Sequence, residues 1–90
     1  MADPALRIVS ASVLDNIEER QVEFTGDVDG ESYDFAAQYD VLEALSGRFP
    51  NGDAVTIFQH YADQVVPAAL SALARNSDQE RIIISGNDLV

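Results

Sequence analysis

The chain has no cysteine, no tryptophan and no lysine. Without cysteine it has neither a disulfide nor a thiolate for nucleophilic attack or zinc binding, and nothing argues for an oxidising compartment. Without lysine, all side-chain positive charge apart from His60 rests on Arg7, Arg20, Arg48, Arg75 and Arg81, scattered singly along the sequence. Nucleic acid needs a basic patch against its phosphates, so it is a poor direct partner, and an anionic membrane surface is disfavoured for the same reason. No run approaches the ~18 apolar residues of a membrane span, and the N-terminus lacks the basic region and long apolar core of a signal peptide. A cytoplasmic location is the resulting expectation. Gly26, Gly30, Gly47, Gly52 and Gly86 stand singly, so no glycine-rich loop is present to cradle a phosphate.

What the chain has in excess is acid: 16 Asp and Glu against five Arg, for a net charge of -11. High charge of one sign keeps a protein soluble, or matches a partner with a basic surface. With 47% hydrophobic and 23% charged residues, the composition is that of a folded protein rather than of a disordered acidic tail. Ninety residues fit one domain, 1–90, with residues 1–5 read as a loose lead-in. A chain of this size buries only roughly 60–65% of its unfolded surface, so it depends on one well-filled core.

The stretch from Val22 to Tyr39 carries two alternating runs around Asp29-Gly30. That dipeptide readily takes the two positive φ values of a type I′ turn, whose twist suits the flanking strands. The turn fixes a register: Val28 opposite Glu31, Gly26 opposite Tyr33, Phe24 opposite Phe35 and Val22 opposite Ala37. These residues share one apolar face because side chains alternate with a period of two. Tyr33 is expected to cover Gly26. Glu23, Thr25, Asp27, Ser32 and Asp34 fall on the other face, the pattern of a sheet with one dry and one wet side.

Leu6 to Val13 reads as a first strand, and Leu14 to Glu19 as a polar connection. After the hairpin, Asp40 is placed to cap a short helix whose Val41, Leu42 and Leu45 share one side and which Gly47 and Pro50 end. Arg48 to Gly52 is a loop by its Pro and Asn-Gly content. From Asp53 to Asn76, Val55, Phe58, Ala62, Val65, Val66, Ala69, Ala72 and Leu73 recur at spacings of three and four, which predicts a long helix buried along one face. Pro67 removes a backbone donor inside it and is expected to kink or divide it. Arg81 to Ser85 is a β-branched run that predicts a buried strand, paired with the first strand or with the hairpin edge. The expected fold is α+β: a small antiparallel sheet of three or four strands, in β-β-β-α-α-β order, with one short and one long Pro-kinked helix on one face.

The VEF run, the VDG turn, the short helix ending in glycine, the F-x-H segment opening the long helix, the hydrophobic strand and the terminal Asp-Leu form a pattern. It resembles the small bacterial proteins of the family called domain of unknown function 1488. The resemblance rests on Val22, Phe24, Val28, Asp29, Gly30, Leu42, Leu45, Phe58, His60, Ala68, Ala69, Ile82, Ile84, Asp88 and Leu89, and spans nearly the whole chain from about Leu6. Family members commonly have a Trp ahead of the hairpin and an Arg where His60 and Tyr61 stand, which this chain lacks. The resemblance implies a fold and carries no activity, cofactor or catalytic residue.

Read one by one, the candidate chemical residues give no reaction site. His60, the one histidine, titrates near neutrality but projects onto the polar side of the long helix near Asp63 and Gln64, and reads as a surface residue. Asp27, Asp29 and Glu31 look like part of a calcium loop, yet the acids needed near Thr25 and Ala36 are missing. The serines lie in no nucleophile-elbow context. Tyr33, Tyr39, Tyr61 and the four Phe have no interleaved basic residues for base stacking and read as core. No catalytic, cofactor or metal residues are assigned. The remaining expectation is a non-enzymatic accessory or regulatory protein that binds another protein through an acidic sheet face or a sheet edge, as a monomer or homodimer. The alternative is an inhibitor that mimics nucleic acid before a DNA- or RNA-binding protein. The candidate acidic face is Glu23, Asp27, Asp29, Glu31 and Asp34.

Overall fold

A computed structural model of the chain describes residues 6–76 and 78–89; the lead-in assigned to residues 1–5 lies outside them. The hairpin forms as the turn dictates. Strands β3 (Gln21–Val28) and β4 (Glu31–Gln38) meet at Asp29 and Gly30, whose φ values of 53° and 86° are both positive as a type I′ turn requires. Val28 faces Glu31, Gly26 faces Tyr33, Phe24 faces Phe35 and Val22 faces Ala37. The aromatic pair at the centre, Phe24 and Phe35, stacks at 5.2 Å.

The expected first strand is divided. Strand β1 (Leu6–Ile8) pairs with the turn-proximal half of β3, and β2 (Leu14–Asn16) pairs with its other half, both antiparallel. Between them a short 3-10 turn at Ser10–Ser12 bulges out of the edge. Ser12 repairs the gap: its Oγ accepts the Thr25 N–H at 2.8 Å and donates to the Val9 carbonyl, while the Val9 N–H donates to the Thr25 carbonyl at 2.9 Å. The stretch that reads as a polar connection thus contributes a strand, because β3 offers unpaired backbone groups along its whole length and pairing overrides local propensity.

On the far side, β5 (Arg81–Ile84) takes the free edge of β4, one of the two placements expected. It runs parallel, with Asp34 facing Arg81 and Ala37 facing Ile84. The α+β class and the helices on one face stand as expected, but the sheet has five strands rather than three or four, in the order β1-β3-β4-β5 with β2 also beside β3. It is mixed rather than wholly antiparallel, since parallel neighbours need a long crossover and the whole helical segment supplies one.

Helix α1 (Tyr39–Ser46) follows β4 without a break. Gln38 is its N-cap, and Asp40 lies in its first turn rather than at the cap. The Tyr39 amide donates to the Arg20 carbonyl at 2.9 Å, so the strand hands over to the helix with that donor already satisfied. Gly47 ends α1 in the left-handed region at φ 83°, its N–H donating to the Glu43 carbonyl, the usual reason for glycine there.

The long helix is two, α2 (Ala54–His60) and α3 (Ala62–Asn76). The break falls at Tyr61 (φ -107°, ψ 19°), six residues ahead of Pro67. Pro67 itself sits within α3 on an exposed position and leaves the Asp63 carbonyl without its usual helical donor. The break also shifts the helical phase. Ala54, Ile57 and Phe58 form the buried stripe of α2, while Val65, Ala68, Ala69 and Ala72 form that of α3; Val55 and Ala62, placed in the core by a single continuous projection, are half-buried.

The core lies between the sheet and this helical layer, with Phe35, Phe58, Leu42, Ile82, Ile84, Val22, Val41 and Val65 its largest fully buried side chains. Phe58 reaches down from α2 to Phe24 at 4.8 Å. Gly26 lies beneath Phe35 and Leu6 rather than being filled by Tyr33: a Cβ there would meet Phe35 Cε2 at 2.9 Å and two Leu6 carbons at 3.2 Å. Phe35 is fully buried and cannot withdraw. Gly26→Ala is therefore expected to lower stability by about 1–3 kcal/mol through overpacking, in spite of the backbone entropy gained. Gly86→Ala, with nothing within 4 Å, should be near neutral in the same denaturant titration.

Candidate functional site

All three helices lie on one side of the sheet, and its outer face is bare. The ladder arranges that face in rows. Leu14, Glu23, Ala36 and Ile83 are successive register partners across four strands. Thr25, Asp34 and Arg81 form the next row, and Arg7, Asp27 and Ser32 the one nearest the turn. Leu14 is 59% exposed and Ile83 37% exposed, while Ala36 between them is fully buried. The wet side of the hairpin therefore carries two exposed apolar side chains, Leu14 and Ile83, at opposite ends of a row that Glu23 interrupts.

The acids beside that row are held. Glu23 Oε2 accepts from Asn16 Nδ2 and Gln21 Nε2, each at 2.8 Å, and from Arg81 at 3.2 Å. These donors, Asn16 first, keep its carboxyl below the ordinary glutamate value. Asp27 accepts the Ser32 hydroxyl at 2.6 Å and Arg7 at 3.1 Å, which lower its pKa in that order of importance. Asp34 accepts from Thr25 Oγ1 at 3.3 Å.

Of the five sequence-predicted acids, Glu23, Asp27 and Asp34 do share the outer face. Asp29 sits in the turn. Glu31, opposite Val28, belongs by alternation to the helix side, where it accepts the Tyr33 hydroxyl at 2.8 Å and thereby raises that phenol's pKa. The five do not make one continuous acidic surface. Leu14, Ile83 and the two arginines are the outer-face residues that sequence reasoning left out, although the alternation of Ile83 with Ile82 and Ile84 marks it as outward-facing.

Two polar clusters lie elsewhere. Asp88, at the start of the last described residues, has its carboxylate fully buried; Oδ1 and Oδ2 accept from Arg75 Nη2 at 2.7 and 2.8 Å, Ser71 Oγ adds a contact at 3.3 Å and the Ser85 N–H one at 3.0 Å. It ties the chain end to α3 and closes a capping box with Ser85. At the other end of the sheet, the Tyr39 hydroxyl donates to Asp15. Burial first, and then this bond, push the phenol up to about 12. His60 is exposed, as expected, and its ring meets Tyr61 edge-on at 4.9 Å. Phe24, Phe35 and Phe58 are core, but Phe49 is half exposed against Tyr39. Among the described residues no three His, Asp or Glu converge as metal ligands, and no helix is long and apolar enough to cross a membrane.

The architecture has a counterpart among solved structures, a protein of unknown function from the DUF1488 family of Shewanella loihica. The two superpose with a TM-score of 0.73 at 16% sequence identity, over 93% of this chain and 96% of that one. The chain has the fold of a DUF1488 family protein. No family model and no curated protein matches it. The DUF1488 likeness agrees with the resemblance carried by the VDG turn and the Asp88-Leu89 pair, and gives these residues a structural reading: Asp29 and Gly30 make the turn, and Asp88 ties the turn after β5 to α3.

Two consequences of the clusters are measurable. Arg75→Ala strands a buried carboxylate, so stability should fall by roughly 3–5 kcal/mol, with Arg75→Lys intermediate because it loses the bidentate fork. Tyr39 keeps its proton more tightly folded than unfolded, where a phenol titrates near 10. Its contribution is therefore fully present below pH 10 and is lost as pH rises toward 12. Tyr39→Phe should remove the last phenol step from an ultraviolet titration and flatten that alkaline loss of stability.

Proposed function

We propose that this chain is a small cytoplasmic accessory domain without catalytic chemistry that binds another protein through the outer face of its sheet. The observation that carries this reading is the pair of exposed apolar side chains, Leu14 and Ile83, at the two ends of the row Leu14–Glu23–Ala36–Ile83 on a face that no helix covers. Protein interfaces are distinguished by an apolar centre within a polar rim. On this face Leu14 and Ile83 supply apolar contacts, Arg81–Glu23 and Arg7–Asp27 supply paired charges beside them, and β5 supplies an edge strand. The polar groups that the fold gathers most tightly, Asp88 with Arg75 and Tyr39 with Asp15, satisfy one another, which favours architecture over chemistry at those points.

The nucleic-acid mimic has less support. A mimic needs carboxylates free to stand in for phosphates, whereas Glu23 and Asp27 already hold arginines of this same chain, and Glu31 points to the other side.

Affinity capture from host lysate, read at low and high salt, separates the two. The protein-docking reading expects a partner that survives high salt and Asp27→Asn, and is lost with Ile83→Glu or Leu14→Glu, because the two exposed apolar side chains carry affinity while the charges beside them mainly steer encounter. Capture of a basic nucleic-acid-binding protein that disappears at high salt and with Asp27→Asn and Asp34→Asn, but ignores Ile83→Glu, would overturn it in favour of the mimic.

A further inference from the structure

On the side of the molecule away from the bare sheet face, α3 borders a cleft of about 350 Å3. Leu45 of α1, Ala68 of α3 and Leu89 after β5 make its apolar wall, and Asp63 and Pro67 of α3 stand at its rim. Ala68 is buried, and Leu45 and Leu89 pack half-buried against the core, so the wall is firm. The rim carries the acceptors of Asp63 with the Gln64 amide, both donor and acceptor, beside them. Pro67 has no N–H, so the carbonyl of Asp63, four residues earlier, has no helical donor, and both ends of that missing bond belong to the cleft lining. The Asp63 carboxylate is exposed and makes no ion pair among the described residues. Asp88, which also lines the cleft, is taken up by Arg75 and Ser71 Oγ.

An apolar trough that ends in a carboxylate and an orphaned carbonyl fits one kind of small molecule. We propose that this cleft binds a primary alkylammonium, with its carbon stem along Leu45, Ala68 and Leu89 and its ammonium between the carboxylate and backbone carbonyl of Asp63. An ammonium offers three donors to those acceptors, and a net charge of -11 concentrates cations around the molecule. The site is independent of the outer face, and neither reading requires the other.

Methyl-resolved NMR titration with n-pentylammonium tests it, with n-pentanol as the uncharged stem. The expected result is saturable shifts confined to the Leu45, Ala68 and Leu89 methyls, with n-pentanol about tenfold weaker, a difference near 1.4 kcal/mol. Asp63→Asn should weaken n-pentylammonium by about the same factor, whereas Asp78→Asn, which removes the same charge elsewhere, should not. Pro67→Ala restores a donor to the Asp63 carbonyl and should lower affinity while leaving the fold intact. Shifts spread equally to the Thr25 and Val28 methyls, beside Asp27, Asp29 and Asp34, would reduce the effect to counterion condensation and overturn the site. Equal binding of n-pentanol, or undiminished binding by Asp63→Asn, would overturn it as well.

Discussion

The two positive φ angles at Asp29 and Gly30 set the alignment of β3 with β4, and the other strands take their places from that pair. A slip of one residue would turn every side chain of a strand to the opposite face, exchanging Phe24 for Glu23 and Phe35 for Asp34. With the register held, one edge of the hairpin receives β1 and β2, the other receives β5, and the aromatic centre at Phe24 and Phe35 is fixed where Phe58 can reach it. The helices add the second layer to a sheet whose dry side is already chosen.

This explains what was legible in the sequence. Turn chemistry and period-two alternation act locally, so the hairpin register, the wet and dry faces and the end of α1 at Gly47 could be read directly. Other features depend on partners far along the chain. β2 forms from Leu14, Asp15 and Asn16, which have no strand propensity, because β3 presents an open ladder to them. The helix break at Tyr61 rather than at Pro67 reflects how two packed segments each find their own buried stripe, something a single helical projection averages away. For the candidate site, Glu23, Asp27 and Asp34 were placed correctly on one face, but parity set Glu31 on the other. The arginines that hold Glu23 and Asp27 come from β5 and β1, and only the assembled sheet brings them there.

The distribution of charge follows from the same assembly. Arg7, Arg48, Arg75 and Arg81 each pair with an acid of the chain, and Arg20 makes no ion pair among the described residues. Exposed pairs of this kind add little stability, roughly 0–1 kcal/mol each, so Arg7, Arg48 and Arg81 matter more for what they subtract from the surface than for what they hold. The net effect is an outward field that is almost wholly negative, interrupted on the bare sheet face by neutralised pairs and by Leu14 and Ile83. Arg75 differs, because its partner Asp88 has no access to water.

The parallel pairing of β5 with β4 also orders events in time. A ribosome makes the hairpin early and β5 near the end of the described chain, so the edge of β4 beside Phe35, Ala36 and Ala37 stays open while the helical segment is being synthesised. Contacts so distant in sequence form late and slowly, and an open strand edge is the part of a nascent chain most exposed to wrong pairing. That edge closes only when Ile82 and Ile84 arrive opposite Phe35 and Ala37.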